Sequence, residues 1–477
     1  MDETIGPPRP VAEVQLPLEL WDAILSYFSR DARSLSSFSL ACRNHRVMAM
    51  PYLFSKLAVG CRSHVRHAED FFSFLTLSPP VASHIVDLTL NNISKRPQPV
   101  LNPDTTVWPR GVPIDLLAQI LHSLPSLQKL TLRCDLLAKD HSLPRTSRLS
   151  SADILQATEK LSLAELTLDS YMIEESACIF SPVIRILSLF SSIDHLIVRS
   201  LPEALPCTCL PDTTKVLVDN RIWQTDQQFD DVFGLPGHCP PALSIRSIDF
   251  GTGSRITSRR ALTKILTRCA LSSAQPPASC SLSLWCGNVV MPEVCSELVE
   301  AYGPRLADCN LYLETAICGW SFANAPLPPS PARQHRLDLS SCTSLTSLSL
   351  TGVWNLRSAT TVAKGGPNAT FAILDVLSTV PPSIIQHLSI ALTIYSFLAA
   401  PTTLTLREVV RPLIDWRSFR LILQEKFAAL QSLKFKWTIP VEAEFGDEVT
   451  KWMRRTVDEE LKEWVKAGLL QSEIATR

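Results

Sequence analysis

The sequence has 477 residues, of which 46% are hydrophobic and 19% are charged. This supplies enough apolar side chains for a buried core, and at roughly 150 residues per domain it predicts about three domains, or one elongated repeat body with a small extra module. The 45 basic and 46 acidic residues leave a formal net charge of -1, so no global positive field favours nucleic acid or an anionic membrane as the partner.

The N-terminal residues 1–14 are rich in proline and polar side chains, and we expect them to form a disordered tail. They lack the basic region and apolar stretch of a secretion signal. The fourteen cysteines are therefore expected to be free thiols in a reducing compartment, the cytoplasm or the nucleus. The longest apolar stretch, residues 384–400, is interrupted by Gln386, His387 and Ser389, so no membrane span is predicted.

Residues 15–60 have the hydrophobic spacing of a short helical module. Leu20, Ile24 and Phe28 recur every four residues, which places them on one stripe of a helix. Pro17 suits the first turn of that helix, where its missing N–H leaves no hydrogen bond unmade. The spacing therefore predicts a first helix with one apolar face.

Two more helices are expected in the same module. Asp31 is a good N-cap for the second helix. The third is predicted over residues 43–50 and should stop before Pro51, because the residue before a proline disfavours helical backbone angles. Three helices in so few residues bury little surface, so we expect them to pack against the rest of the chain or against a partner.

A short apolar-x-x-apolar-x-apolar pattern recurs over residues 61–440. Eight complete copies are Ile85-Leu88-Leu90, Leu127-Leu130-Leu132, Leu163-Leu166-Leu168, Ile193-Leu196-Val198, Ile245-Ile248-Phe250, Leu345-Leu348-Leu350, Ile385-Leu388-Ile390 and Leu430-Leu433-Phe435. Weaker copies lie at Leu282-Leu284 and Leu311-Leu313, with a further candidate at Val216-Val218.

Ten units at comparable intervals predict an α/β solenoid in which each unit is one short strand followed by a returning helix or loop. Helical spacing between the units, as in Leu116, Leu117, Ile120 and Leu121, supports this alternation. The intervals are longer and less even than those of regular leucine-rich repeats. Residues 441–477 carry an amphipathic stripe that predicts a C-terminal capping helix, formed by Val449, Trp452, Met453, Val457, Leu461, Trp464 and Val465.

The N-terminal module resembles an F-box. The match comprises Leu16-Pro17-Leu18-Glu19-Leu20, Ile24-Leu25, Phe28, Asp31, Leu35, Leu40-Ala41-Cys42-Arg43 and Pro51-Tyr52-Leu53-Phe54. With the repeats behind it, the chain is similar to fungal F-box-like proteins that have a degenerate leucine-rich body. The implied fold is a three-helix F-box-like module, an irregular leucine-rich-repeat-like α/β solenoid and a C-terminal helical cap.

The resemblance implies the substrate-receptor subunit of an SCF-type (Skp–cullin–F-box) ubiquitin ligase. The module would dock on a Skp-type adaptor, and thereby on the cullin complex, while the repeat body would hold a protein target. Carried over by position, the adaptor-binding residues are Leu16, Pro17, Glu19, Leu20, Ile24, Leu25, Leu35, Leu40 and Cys42. His45 departs from the family, which usually has Trp there, and we expect this to weaken the packing of the third helix. Alternatively, the module is only a cap, and the chain is a leucine-rich-repeat scaffold with no ligase role.

The sequence holds no recognisable catalytic motif. It lacks the phosphate-binding loop, the dinucleotide fingerprint, the nucleophile elbow and the HExxH zinc signature. The tightest cysteine pair, Cys207 and Cys209, lacks the four convergent ligands that zinc needs. We therefore predict no catalytic residue, no metal and no cofactor, and an enzyme with an unrecognised site is the least favoured class.

The side chains that flank the central apolar residue of each repeat should point to the opposite face of the strand. They are hydroxyl-rich and mixed in charge, which favours a protein over a polyanion as the partner. On this concave face we expect the target-binding residues Lys129, Glu165, His195, Asp249 and His387. Alternatively, recognition lies in the proline-rich insertions at 95–113, 200–212, 235–241, 273–279 and 325–333.

Overall fold

The computed structural model describes a chain of alternating helices and strands. The described residues are 16–29, 31–60, 66–91, 112–134, 136–137, 160–169, 180–200, 233, 239–251, 256–286, 291–315, 337–356, 371–382, 384–397, 414–439 and 446–476. The predicted tail at 1–14, the cysteine pair at 207–209, the candidate repeat at 216–218 and the insertion at 325–333 lie outside them.

The helices are short and are distributed along the chain. They are α1 Leu18–Tyr27, α2 Ala32–Ala41, α3 Arg43–Phe54, α4 Arg66–Leu77, α5 Pro79–Ala82, α6 Ile114–His122, α7 Phe180–Ser188, α8 Ile256–Ser272, α9 Met291–Tyr302, α10 Phe371–Thr379, α11 Trp416–Lys426, α12 Gly446–Glu460 and α13 Lys462–Lys466. In the described part of the chain, no helix has the length and apolar content to cross a membrane.

The strands lie between these helices. They are β1 Lys56–Gly60, β2 Asp87–Asn91, β3 Val112–Pro113, β4 Lys129–Arg133, β5 Leu136–Leu137, β6 Leu161–Asp169, β7 Phe190–Ser200, β8 Ser244–Phe250, β9 Cys280–Cys286, β10 Leu306–Thr315, β11 Ser347–Leu356, β12 His387–Phe397, β13 Ser432–Ile439 and β14 Leu470–Thr476. The central residue of each of the ten predicted repeat copies falls on a strand.

Twelve of these strands form one open parallel sheet in the order β1-β2-β4-β6-β7-β8-β9-β10-β11-β12-β13-β14, and β3 pairs with β5 separately. The central apolar residues of the repeats are in register across it: Leu88, Leu130, Leu166, Leu196, Ile248, Leu282, Cys309, Leu348, Leu388 and Leu433. All ten side chains are buried. The chain is thus α/β, with a sheet whose strands follow the chain order.

One sheet face carries the core and the other does not. The inward side chains of the strands form one continuous apolar cluster with helix residues such as Leu117, Leu187, Leu266 and Leu423. The alternate side chains are mostly half-buried or exposed, as in the pattern of β2, where only Leu88 and Leu90 are buried. We call this second side the open face; it is unusual, because parallel sheets normally have both faces covered.

The register corrects one repeat. The sequence pattern centred the copy on β10 at Leu311, but Cys309 pairs with Leu282 and Leu348 at the central position, and Leu311 pairs with Leu284 and Leu350. A buried cysteine is a small apolar side chain, so Cys309 can occupy a leucine position. Because the sequence pattern was placed from leucines alone, it put this copy two residues too far along the chain.

The strands β7 and β8 precede and follow the candidate copy at 216–218 in the chain, and they pair directly with each other.

Two boundaries also differ from the predicted ones. The helix α3 continues through Pro51 to Phe54, because Tyr52 bonds to α1 and Phe54 packs on the main core. Residues 56–60, predicted within the helical module, are the edge strand β1. Short edge strands carry too few apolar positions to be distinguished by their pattern.

The C-terminal segment is more than a capping helix. Met453, Val457 and Leu461 are buried as the amphipathic stripe predicts, whereas Val465 is exposed. Gly468, with φ +70°, ends α13, and the N–H groups of Gly468 and Leu469 bond to the carbonyls of Val465 and Trp464 at 3.0 and 2.9 Å. This is a Schellman ending, which reverses the chain and lets β14 pair with β13.

Candidate protein-docking surfaces

The three N-terminal helices are held by local caps. The carboxylate of Asp31 accepts hydrogen bonds from the N–H groups of Arg33 at 3.1 Å and Ser34 at 3.2 Å, as the sequence predicted. The bonds from Ser34 hold the pKa of Asp31 below its ordinary value. The Cys42 thiol accepts from the N–H of His45 at 3.4 Å, and so caps α3.

An aromatic cluster joins the three helices. The ring of His45 stacks on Phe38, with 4.2 Å between centroids and 15° between planes. Trp21 lies 5.3 Å from each of these two rings. His45 stands where the resemblance expects Trp, and this was expected to weaken the packing of the third helix. The structure instead gives the imidazole a stacking role in that packing.

A hydrogen bond also ties α3 back to α1. The hydroxyl of Tyr52 donates to the carboxylate of Asp22 and lies 3.2 Å from the Asp22 carbonyl oxygen. The bond to the carboxylate raises the pKa of Tyr52 to about 12, because ionisation would remove the donated proton and place two anions together. The module is therefore braced across its first and third helices.

The module nonetheless exposes much of its apolar surface. Of the thirteen large hydrophobic side chains exposed in the described residues, eight lie between residues 16 and 47: Leu16, Leu18, Leu20, Ile24, Tyr27, Phe28, Leu40 and Val47. Exposed apolar residues scattered singly are normal on a protein surface, but a concentration of them marks an interaction site. We call this set the apolar face of the module.

The structure separates the predicted adaptor residues into two groups. Leu16, Pro17, Glu19, Leu20, Ile24, Leu40 and Cys42 are exposed. Leu25 and Leu35, only 3% and 2% exposed, lie in the interior, so their assignment as contact residues is corrected. They are buried because each lies on the side of its helix that faces the other helices, and they form the small interior of the module. Four further members of the apolar face were not among the predicted adaptor-binding residues: Leu18, Tyr27, Phe28 and Val47.

The second candidate surface is the open face of the sheet. The register places Lys129, Glu165, His195 and His387 in one row across the strands and Asp249 in the next row. All five predicted target-binding residues therefore share one face. His387 Nδ1 lies 2.9 Å from the Ser432 hydroxyl on the neighbouring strand.

The ends of the open face are neutralised by ion pairs between adjacent strands. The Lys129 ammonium lies 3.0 Å from the Glu165 carboxylate, and the Arg133 guanidinium lies 3.3 Å from Asp169. Near the other end, Lys436 lies 2.7 Å from Glu473 on β14. Thr167, which flanks the central Leu166, is buried, and it pairs in register with Thr131 and Ile197 on the adjacent strands.

Two features of the described residues bear on chemistry. A cleft of about 580 Å³ lies on the helix side of the sheet, near α8 and α9. Its charged lining residues are Lys264, Arg268, Arg305, Glu297 and Glu300. Lys264 donates to Glu297 and Arg305 donates to the Ala301 carbonyl, so part of this charge is already engaged within the chain. Among the described side chains, no group of three or more His, Cys, Asp or Glu is placed to hold a metal ion.

The buried cysteines have the properties of core residues. Burial raises the pKa of Cys269 to about 12 and that of Cys342 to about 11, and raises that of Cys309 as well. The thiolate is the reactive form of cysteine, and an apolar environment disfavours it. These side chains therefore pack as apolar groups.

Comparison with known proteins adds no relative to this picture. No protein-family model matches the chain, and no curated protein matches it.

Proposed function

We propose that this chain is the substrate receptor of an SCF-type ubiquitin ligase. In this proposal the three-helix module is an F-box that docks a Skp-type adaptor, and through it the cullin complex, in the cytoplasm or nucleus. The sheet and its helices are a degenerate leucine-rich-repeat solenoid that holds a protein target on its concave side. The observation that carries the proposal is the apolar face of the module, which combines with the F-box-like residue pattern.

The arrangement suits an adaptor role for a physical reason. Burying a large apolar side chain against a partner contributes about 1.5–3 kcal/mol. Leu20 and Ile24 of α1 and the C-cap residue Phe28 offer one stripe of such side chains. Leu25 and Leu35 are already buried, so the module can keep its own small core while the stripe remains available. A receptor then needs no catalytic group, because ubiquitin transfer gains from proximity of the target to the transferring enzyme.

The test is binding of a purified Skp-type adaptor to the full chain. Leu20 and Ile24 are 51% and 39% exposed, so Leu20→Asp with Ile24→Asp should leave the fold intact and abolish adaptor binding, because a carboxylate in an apolar interface is costly. The matched control is Leu421→Asp with Val465→Asp, two exposed apolar positions on other helices. Equal binding by the wild type and the first variant would reject the proposal.

A scaffold without a ligase role is the second candidate, and one contact favours it. Phe54 at the end of α3, together with Leu57 of β1, packs against the main core, so the module also covers one end of the sheet. If the chain binds no adaptor, and Phe54→Ala destabilises the whole sheet in urea while the Leu20 and Ile24 variant does not, the module acts as a cap.

A further inference from the structure

The middle of the open face differs from its ends in its charges. Near the ends, carboxylates are paired with basic side chains of adjacent strands, as Glu165 is with Lys129 and Glu473 with Lys436. Strands β8 to β12 carry Asp249 and Asp308 on this face, and neither has an ion pair or hydrogen bond among the described residues. The described open-face residues of these strands include no Lys or Arg.

Arg199 of β7 is exposed and lies two residues beyond Ile197, the register partner of Asp249. Two further arginines close to these strands make contacts within the chain. Arg246 lies before the first open-face position of β8 and has its guanidinium 3.8 Å from Asp194. Arg305, just before β10, donates to the Ala301 carbonyl at 3.2 Å. The two open-face carboxylates therefore form a negatively charged patch without an ion pair among the described residues, on an otherwise hydroxyl-lined surface.

Two polar groups of β10 extend this patch. The side-chain carbonyl oxygen of Asn310 is buried and has no hydrogen-bond donor, while its amide donates to the Tyr312 hydroxyl at 3.3 Å. An acceptor removed from water without a donor costs free energy, so an outward turn of the Asn310 side chain to meet a ligand's donor is favoured. The half-exposed ring of Tyr312 lies on the same face of the strand.

The patch is also costly for the sheet itself. Asp and Asn are depleted in strands, yet β8 and β10 place three of them on the open face, with Ser281 and Ser283 of β9 between. Serine is small, so β9, which lies between the strands that carry these carboxylate and amide groups, leaves room on the open face for another polypeptide segment. Residues that disfavour the element in which they lie, and that make no compensating contact, tend to lie at functional positions.

We infer that the open face at β8 to β10 binds an extended, arginine-containing basic segment of a protein partner. The inference rests on the proposed function only in taking that partner to be the target. Asp249 and Asn310 share a row two strands apart, about 10 Å at the usual strand spacing, which equals about three residues of an extended segment. The planar guanidinium suits carboxylate and amide oxygens together, and Tyr312 offers a ring for a cation.

The experiment uses the full chain and three short fluorescent peptides that alternate serine with arginine, with glutamine or with glutamate. Fluorescence anisotropy should give the tightest binding for the arginine peptide. Asp249→Asn with Asp308→Asn should weaken that binding by about three- to tenfold, because two charge pairs are lost. The control, Asp87→Asn with Glu473→Gln, removes the same charge from the two ends of the same face and should change binding by less than about twofold.

Equal weakening in both double variants would show general charge attraction and overturn the inference. So would arginine and glutamate peptides of equal affinity, or tighter binding of a single-stranded oligonucleotide than of any peptide. Thermal unfolding of each variant checks that the isosteric changes keep the fold. No adaptor is present in this assay, so a chain that binds the arginine peptide but no adaptor rejects the ligase role alone, and the reverse result rejects this inference alone.

Discussion

The ammonium group of Lys129 lies 3.0 Å from the carboxylate of Glu165, the residue directly beside it on the next strand of the sheet. Both residues were expected to contact the target, and the structure gives each of them a partner within the chain. The side chains are 49% and 28% exposed, so solvent screens the attraction strongly.

We therefore expect the pair to contribute little to stability. A double-mutant cycle with Lys129→Ala and Glu165→Ala should give a coupling free energy of about 0.2–1 kcal/mol at low salt, and less at high salt. Urea unfolding of the four proteins measures it. A coupling well above this range would mean that the pair is less accessible to solvent than the structure has it.

The in-register leucines should be far more important for stability. Leu348 is 1% exposed at the centre of the sheet, so Leu348→Ala should cost about 2–5 kcal/mol through lost burial and a cavity. The control is Leu421→Ala, at an exposed helix position, where we expect a change within about 0.5 kcal/mol. Similar midpoints of urea unfolding for the two variants would contradict the register described above.

The cap of α11 gives a prediction about pH. The carboxylate of Asp415 accepts from the N–H of Ser418 at 3.1 Å and from its hydroxyl at 2.6 Å, and these bonds lower the pKa of Asp415. Asp415→Ala should cost about 1 kcal/mol at neutral pH. Because the folded-state pKa is depressed, this contribution is present above the ordinary value of 3.8 and is lost as pH falls through the folded value. The difference in unfolding midpoint between wild type and variant should therefore shrink in acid.

Alkylation should distinguish exposed from buried thiols. Cys42 and Cys239 are exposed, whereas Cys269, Cys309 and Cys342 are buried and have raised pKa values. Iodoacetamide at neutral pH should label the first two in the native protein and spare the other three, since the thiolate is the reacting form. Peptide mass spectrometry before and after denaturation reads each site. Rapid native labelling of Cys309 would contradict its place in the core.

The repeat pattern was readable in the sequence because it is local. Apolar side chains at the first, fourth and sixth positions of the repeat mark one strand and the turn before it. The helical spacing of Leu116, Leu117 and Ile120 marks a returning helix. Both patterns report which side of an element is buried. Cys309 shows where the local pattern is insufficient. Only its pairing with Leu282 and Leu348 on the adjacent strands reveals that a cysteine occupies a leucine position of the repeat.

For the candidate surfaces, the sequence by itself determined which segments carry apolar and polar faces: the stripe of Leu20, Ile24 and Phe28, and the hydroxyl-rich row across the strands. Only the tertiary structure decided which members remain open, because burial depends on residues distant in the chain. Helix packing encloses Leu25 and Leu35, strand pairing joins Lys129 to Glu165, and the same pairing leaves Asp249 and Asp308 without a counter-charge in the described chain. The edge strands β1 and β14 likewise exist through their partners, since a strand is stabilised by the hydrogen bonds of its neighbour.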